Sequence, residues 1–104
     1  MTDFTEKVVG IILAIPEGFV CTYGQIAAAA GNPKGSRQVS RILHTWSSTH
    51  NLPWHRVINS KGKISLPEGA GFEEQASMLA GEGVELNSHR AVDLRKYQFE
   101  IPPG

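Results

Sequence analysis

The 104-residue sequence predicts a mostly α-helical domain with a small β-hairpin, arranged as a winged helix-turn-helix. Three observations carry this. Four segments place apolar residues at helical spacing. The second and third are separated by only a few residues with a glycine in the turn, which is helix-turn-helix spacing. After them, Arg56-Val57-Ile58 and Ile64 flank the turn Ser60-Lys61-Gly62-Lys63, a hairpin or wing signal.

The first helix is expected from about Asp3 to Ala14. Asp3 and Glu6 have capping-box spacing, and Phe4, Val8, Ile11, Ile12 and Ile15 share one face. Pro16-Glu17-Gly18 ends it. The second helix, about Tyr23 to Ala30, has Thr22 and Gln25 at capping-box spacing and Gly31 at its C-terminal cap. Asn32 as N-cap and Pro33 at the first position open the third helix, about Pro33 to Ser47. Val39, Ile42, Leu43 and Trp46 form its core stripe, and Lys34, Arg37, Arg41 and His44 its exposed one. A glycine-rich loop, Glu68 to Gly71, leads to a fourth helix, about Phe72 to Ala80, with Phe72, Ala76, Leu79 and Ala80 inward. Gly81-Glu82-Gly83 stops it. Leu94, Tyr97 and Phe99 of the tail pack back on the core, and Pro102-Pro103-Gly104 frays.

Length limits the chain to one domain, residues 1–104, with a modest core. A hydrophobic share of 40% against 19% charged residues excludes a disordered chain. No apolar run reaches the roughly 20 residues of a membrane span. Asp3 and Glu6 stand where a signal peptide carries cations. The single cysteine, Cys21, excludes an internal disulfide and suits a reducing cytoplasm. With no CxxC or HExxH pattern, neither a metal nor a cofactor is expected. Net charge is zero, but its distribution is uneven. Residues 18–67 hold no Asp or Glu and six cations, Lys34, Arg37, Arg41, Arg56, Lys61 and Lys63. A basic half can face a phosphate backbone although the whole is neutral. The third helix, with its cationic stripe, is the candidate DNA-reading element. The fold class is therefore a winged helix-turn-helix DNA-binding domain; a solvated amphipathic helix is the plainer alternative for that stripe.

Pro53-Trp54-His55-Arg56-Val57 resembles the Pro-Cys-His-Arg-Val signature of the O6-alkylguanine-DNA alkyltransferases, with tryptophan at the reactive cysteine. Two further blocks share the resemblance: Thr22-Tyr23-Gly24-Gln25-Ile26-Ala27, and Gly31-Asn32-Pro33-Lys34 followed by Ser36-Arg37-Gln38-Val39. With their connections they cover roughly residues 4 to 86. An indole has an N–H donor but no usable lone pair, so it cannot accept an alkyl group. A recognition site without its nucleophile is similar to the alkyltransferase-like proteins, as is a chain that starts at the DNA-binding domain.

The resemblance implies a set of roles. Arg37 falls on the family's finger, which enters from the minor groove and takes the place of an extruded guanine; its plainer role is a phosphate contact. Tyr23 matches the tyrosine that turns the nucleotide and lines the pocket, although Tyr23, Ile26, Ala27 and Ala30 also form a core stripe. Trp54 either stacks on the flipped base or fills the old pocket. Leu43, Val57, Ile64 and the loop from Leu66 to Gly71 are candidate walls. Lys34, Ser36, Gln38, Ser40 and Arg41 are assigned to the DNA backbone and groove. His55 and Glu82 correspond to the pair that activates the thiol in full alkyltransferases; here they are expected to bond to each other and, with Pro53 and Arg56, to organise the loop carrying Trp54. The arginine some members carry after the hairpin is missing from Ser65-Leu66-Pro67-Glu68, and Glu68 should point away from DNA.

The resulting expectation is a non-catalytic sensor that flips O6-alkylguanine out of double-stranded DNA. It flags the lesion to nucleotide excision repair proteins and shields it from true alkyltransferases. It is expected to act as a cytoplasmic monomer with no membrane contact. The rival readings are a winged helix-turn-helix transcriptional regulator on undamaged DNA, and an enzyme using Cys21 or Glu82. Cys21 itself reads as packing.

Overall fold

Helix α1 spans Asp3–Leu13, and its cap is Thr2 rather than Asp3: the Thr2 hydroxyl accepts the amide of Thr5. The acids Asp3 and Glu6 lie in the first turn, where they favour the positive end of the helix. The computed structural model describes residues 1–103; Gly104 of the expected frayed tail lies outside them. No helix among the described residues is long and apolar enough to cross a membrane.

A short strand β1 (Cys21–Thr22) runs directly into α2 (Tyr23–Ala29). The predicted capping box is present: Thr22 Oγ1 accepts the Gln25 amide and Gln25 Oε1 accepts the Thr22 amide, each at 3.1 Å. Helix α3 spans Ser36–Trp46 and starts later than expected. Asn32-Pro33 is a turn, not a helix start: Asn32 Oδ1 accepts the Lys34 amide and Asn32 O the Gly35 amide. Lys34 therefore stands before the helix, and Gly35 caps it without a side-chain bond.

Among the described residues the expected hairpin is absent. After a 3-10 turn at Trp54–Arg56, strand β2 (Val57–Ile58) pairs in parallel with β1, Cys21 opposite Val57 and Thr22 opposite Ile58. Parallel strands need a long crossover, and α2 and α3 provide it. Ser60-Lys61-Gly62-Lys63 is a turn as expected, with the Asn59 amide bonded to Lys63 O. Its partner is the tail, through Lys63 and Ala91. Gly62 is required there: its φ is +79°, and a Cβ would sit 2.4 Å from Val92 O.

The strands stitch two apolar clusters together. Alternation sends Cys21 and Val57 into a cluster of α1, α2 and α3, and Val20 and Ile58 into a second one with Leu79, Val84 and Val92. The first cluster holds Val8, Ile12 and Ile15 as expected, and also Val9, which the helical stripe missed. Helix α4 spans Phe72–Gly81; Ala80 is exposed on it, and Gln75 is buried in its place. A four-residue helix α5 (Leu94–Tyr97), capped by Asp93, was not legible beforehand. Leu94, Tyr97 and Phe99 do pack on the clusters. The tail is pinned beside β1, where Val20 exchanges backbone bonds with Tyr97 and Phe99.

Candidate DNA interface and base pocket

The α2 cap places Tyr23 at the first helical position, facing a cavity of about 290 Å³ that is open to solvent. Its apolar walls are Tyr23, Leu43, Trp54 and Leu66; Ser40, His44, Ser47 and Gln75 supply polar groups. Trp54 lines this space and leaves it open. Two aromatic side chains at the wall of an open cavity suit a planar heterocycle. Val57 and Ile64, expected as walls, are 1% and 8% exposed and belong to the two core clusters instead. The strand alternation that buries Val57 was hidden while β2 had no known partner, and Ile64 follows the bridge between Lys63 and Ala91, another long-range contact.

Arg37 lies next door. It lines a second concavity with Tyr23, Gly24, Ser36, Ser40, Asn59, Ser60 and Ser65, so Tyr23 and Ser40 are shared by both spaces. Arg37, Ser40 and His44 follow i, i+3, i+7 and form the pocket-side face of α3. Gln38 and Arg41 turn to a different flank, against the cap Thr2 and Phe4 and Thr5 of α1. Lys34, Ser36, Arg37, Gln38, Ser40 and Arg41 are all exposed. The first turn of α3 carries no acid and its cap has no side-chain bond. Its free amides therefore favour an anion such as a phosphate. Burial pushes the Tyr23 phenol up, and the Ser65 side chain beside it pulls the other way.

The loop carrying Trp54 is fixed from below by one carboxylate. Glu82 Oε2 lies 2.6 Å from His55 Nε2 and 2.7 Å from Arg56 Nη2. Glu82 Oε1 accepts Arg56 Nε at 3.0 Å and the Gly18 amide at 3.1 Å. Arg56 Nη1 donates onward to Ile15 O at 2.9 Å. Glu82 thus ties the motif loop to the end of α1, and Arg56 is spent inside the protein. Pro53 stands just ahead of the 3-10 turn that presents Trp54. Glu68 pairs with Arg90, whose guanidinium also stacks 4.2 Å from the centre of the Phe72 ring.

Gln75 is the residue that sequence reasoning missed. Its Nε2 donates to His55 O and Val57 O, both at 3.0 Å, and the side chain also reaches the cavity wall. A signal existed: Phe72, Gln75 and Leu79 share a helical stripe, and a polar residue on an apolar stripe needs partners. Gln75→Leu leaves two buried carbonyls unpaired. It should destabilise the fold by about 1–3 kcal/mol for each carbonyl left unsatisfied, read from urea unfolding.

A family model described as 6-O-methylguanine DNA methyltransferase, DNA binding domain, matches residues 3–84. A DNA base-flipping protein of Escherichia coli is 42% identical over 97 residues, covering 93% of this chain and 74% of that protein. Alkyltransferase-like protein 1 of Schizosaccharomyces pombe is 41% identical over 104 residues, covering 98% of this chain and 93% of that one. The crystal structure of S. pombe Atl1 in complex with damaged DNA containing O6-carboxymethylguanine superposes with a TM-score of 0.82 at 38% identity, over 96% of this chain and 97% of that one. Mycobacterium tuberculosis OGT in complex with DNA matches at a TM-score of 0.63 and 32% identity, over 80% of this chain and 50% of that one. The open pocket behind Tyr23, the α3 face beside it and these likenesses agree: this chain belongs to the alkyltransferase-like family, built on the DNA-binding domain of the 6-O-methylguanine DNA methyltransferases.

Proposed function

We propose that this protein is a non-catalytic sensor that flips O6-alkylguanine out of duplex DNA and holds it intact. The observation that carries the reading is the open cavity walled by Tyr23 and Trp54, directly beside Arg37. The planar guanidinium enters the base stack and occupies the gap. Tyr23 turns the nucleotide, and the base settles beside Trp54, where an aromatic contact contributes roughly 1–3 kcal/mol. Ser36 and Ser40 hold the backbone on the pocket side, Gln38 and Arg41 on the α1 flank, and Lys34 just ahead of α3. Relatives described as base-flipping, and one seen with damaged DNA, support the reading.

The chemistry stops there because no nucleophile meets the base. Trp54 stands where the Pro-Cys-His-Arg-Val signature has its reactive cysteine, and burial pushes the Cys21 thiol up to about 12, so almost no thiolate exists at neutral pH. His55 and Glu82 keep the contact that an activating pair needs, with no thiol to serve. The held lesion then signals to nucleotide excision repair proteins, and the same grip shields it from active alkyltransferases. The protein acts as a monomer in the cytoplasm.

The test is the affinity ratio for matched duplexes with and without one O6-methylguanine, at stated salt. A marked preference for the lesion is expected; equal affinities defeat the sensor and leave a generic DNA binder. Mass spectrometry of the incubated mixture should show unmodified protein and intact lesion. Trp54→Cys places a thiol beside the His55–Glu82 pair; a gain of one methyl group per molecule also requires that pocket shape and thiol pKa suit transfer, so the variant tests whether the tryptophan alone withholds the chemistry.

A further inference from the structure

We propose that Lys61 and Lys63, together with Arg95 and Lys96 of α5, form a second phosphate-binding edge that lengthens the DNA footprint beyond α3. From the reading above it takes only that the partner is duplex DNA. The turn and the tail are one unit: the Val92 amide donates to Gly62 O at 2.8 Å, and Lys63 bridges to Ala91. Past α5, Gln98 Nε2 donates to Gln25 Oε1 at 2.9 Å, which ties the other end to the start of α2. Helix α5 therefore sits between two segments that both border the Arg37 concavity, Asn59-Ser60 on one side and Tyr23-Gly24 on the other.

Among the described residues, no carboxylate lies nearer than 4.0 Å to the charges of this edge; Lys96 Nζ lies 5.2 Å from the centre of the Tyr97 ring, a contact that does not neutralise it. All four side chains belong to exposed residues. The Arg95 side chain is 97% exposed, with a carboxylate no nearer than 4.0 Å. That carboxylate, Asp93, is the only acid in residues 91–99, and its Oδ1 is already used to cap α5 through the Arg95 amide. Arg56 and Arg90 are different, since Glu82 and Glu68 hold them. Four exposed cations on an edge braced to the chain segments that border the finger candidate's concavity fit a polyanion that runs past the lesion. The edge includes residues beyond the segment that the family model matches.

The experiment is a salt titration of the Arg95→Gln/Lys96→Gln double variant on a long duplex, with and without the lesion. Each lost phosphate contact flattens the log–log slope by about 0.9, so a slope shallower by nearly two units is expected. The lesion preference should be unchanged. On a duplex too short to reach the edge, variant and wild type should agree. An unchanged slope on the long duplex overturns the proposal. So does an equal flattening by Lys7→Gln, which removes a charge from α1 beside a different groove. Thermal melting checks that the variants fold. If the wild type ignores the lesion, the sensor reading fails, while this slope comparison still stands or falls by itself.

Discussion

Glu82→Ala will cost about 3–5 kcal/mol of folding stability, the range for removing one partner of a buried ion pair. That is a large part of the roughly 5–15 kcal/mol a small domain has, and a urea titration reads it directly. The reason is geometric. The carboxylate is 9% exposed and bonds to His55, Arg56 and the Gly18 amide, so its loss strands a guanidinium whose side chain is 17% exposed. Glu82→Gln keeps the shape and an acceptor for Gly18 but loses the charge, and should fall between alanine and wild type. The pH dependence is a second readout. Burial pushes the Glu82 carboxyl up, but Arg56, His55 and the Gly18 amide outweigh it and bring it down from 4.5 to about 2. A carboxyl lower in the folded state stabilises the fold fully above about 4.5 and loses that contribution as pH falls through about 2. The wild type should weaken steeply across this window, and Glu82→Gln should show a much shallower loss there.

What the sequence disclosed depended on the range of the interaction concerned. The Thr22–Gln25 cap was readable because both partners lie within one helical turn. The motif around Trp54 and the exposure of Arg37, Arg41 and His44 were readable for the same local reason. These three residues and Lys34 do not make one stripe, however: Lys34 precedes α3, and Arg41 lies on the α1 flank, away from Arg37 and His44. The Ser60–Lys63 turn was also readable, since Gly62 needs a positive φ. Its consequence was not: the strand that follows Arg56 pairs with Cys21-Thr22, far earlier in the chain. No local pattern in two-residue strands announces such a partner. The error about Val57 follows from that one, because pairing decides which way each residue points; Ile64 lies outside both strands and is buried in the second cluster beside the Lys63–Ala91 bridge. The Asn32-Pro33 signature was real as turn chemistry, with the Asx bond to Lys34, and only its consequence for α3 was misplaced. Gln75 and the Arg90–Glu68 clasp are long-range polar contacts, and composition alone does not show them.

Arg37→Ala will weaken lesion binding by about 1–3 kcal/mol, the magnitude of a significant recognition contact, with a smaller loss on undamaged duplex. Arg37 is exposed and, among the described residues, no acid lies within ion-pair distance of it. The substitution should therefore leave thermal stability nearly unchanged, which separates recognition from folding. Position argues for a finger: the residue shares a concavity with Tyr23 and Ser40, and those two also line the base pocket. A phosphate contact needs only a point charge, whereas filling a vacated stack needs a planar cation. Arg37→Lys distinguishes the two. It should keep most of the affinity for undamaged DNA and its salt dependence, yet lose much of the lesion preference. A lysine variant that retains the full preference, or an alanine variant that weakens both duplexes equally, would reduce Arg37 to one more backbone contact and leave the flipping step without its wedge.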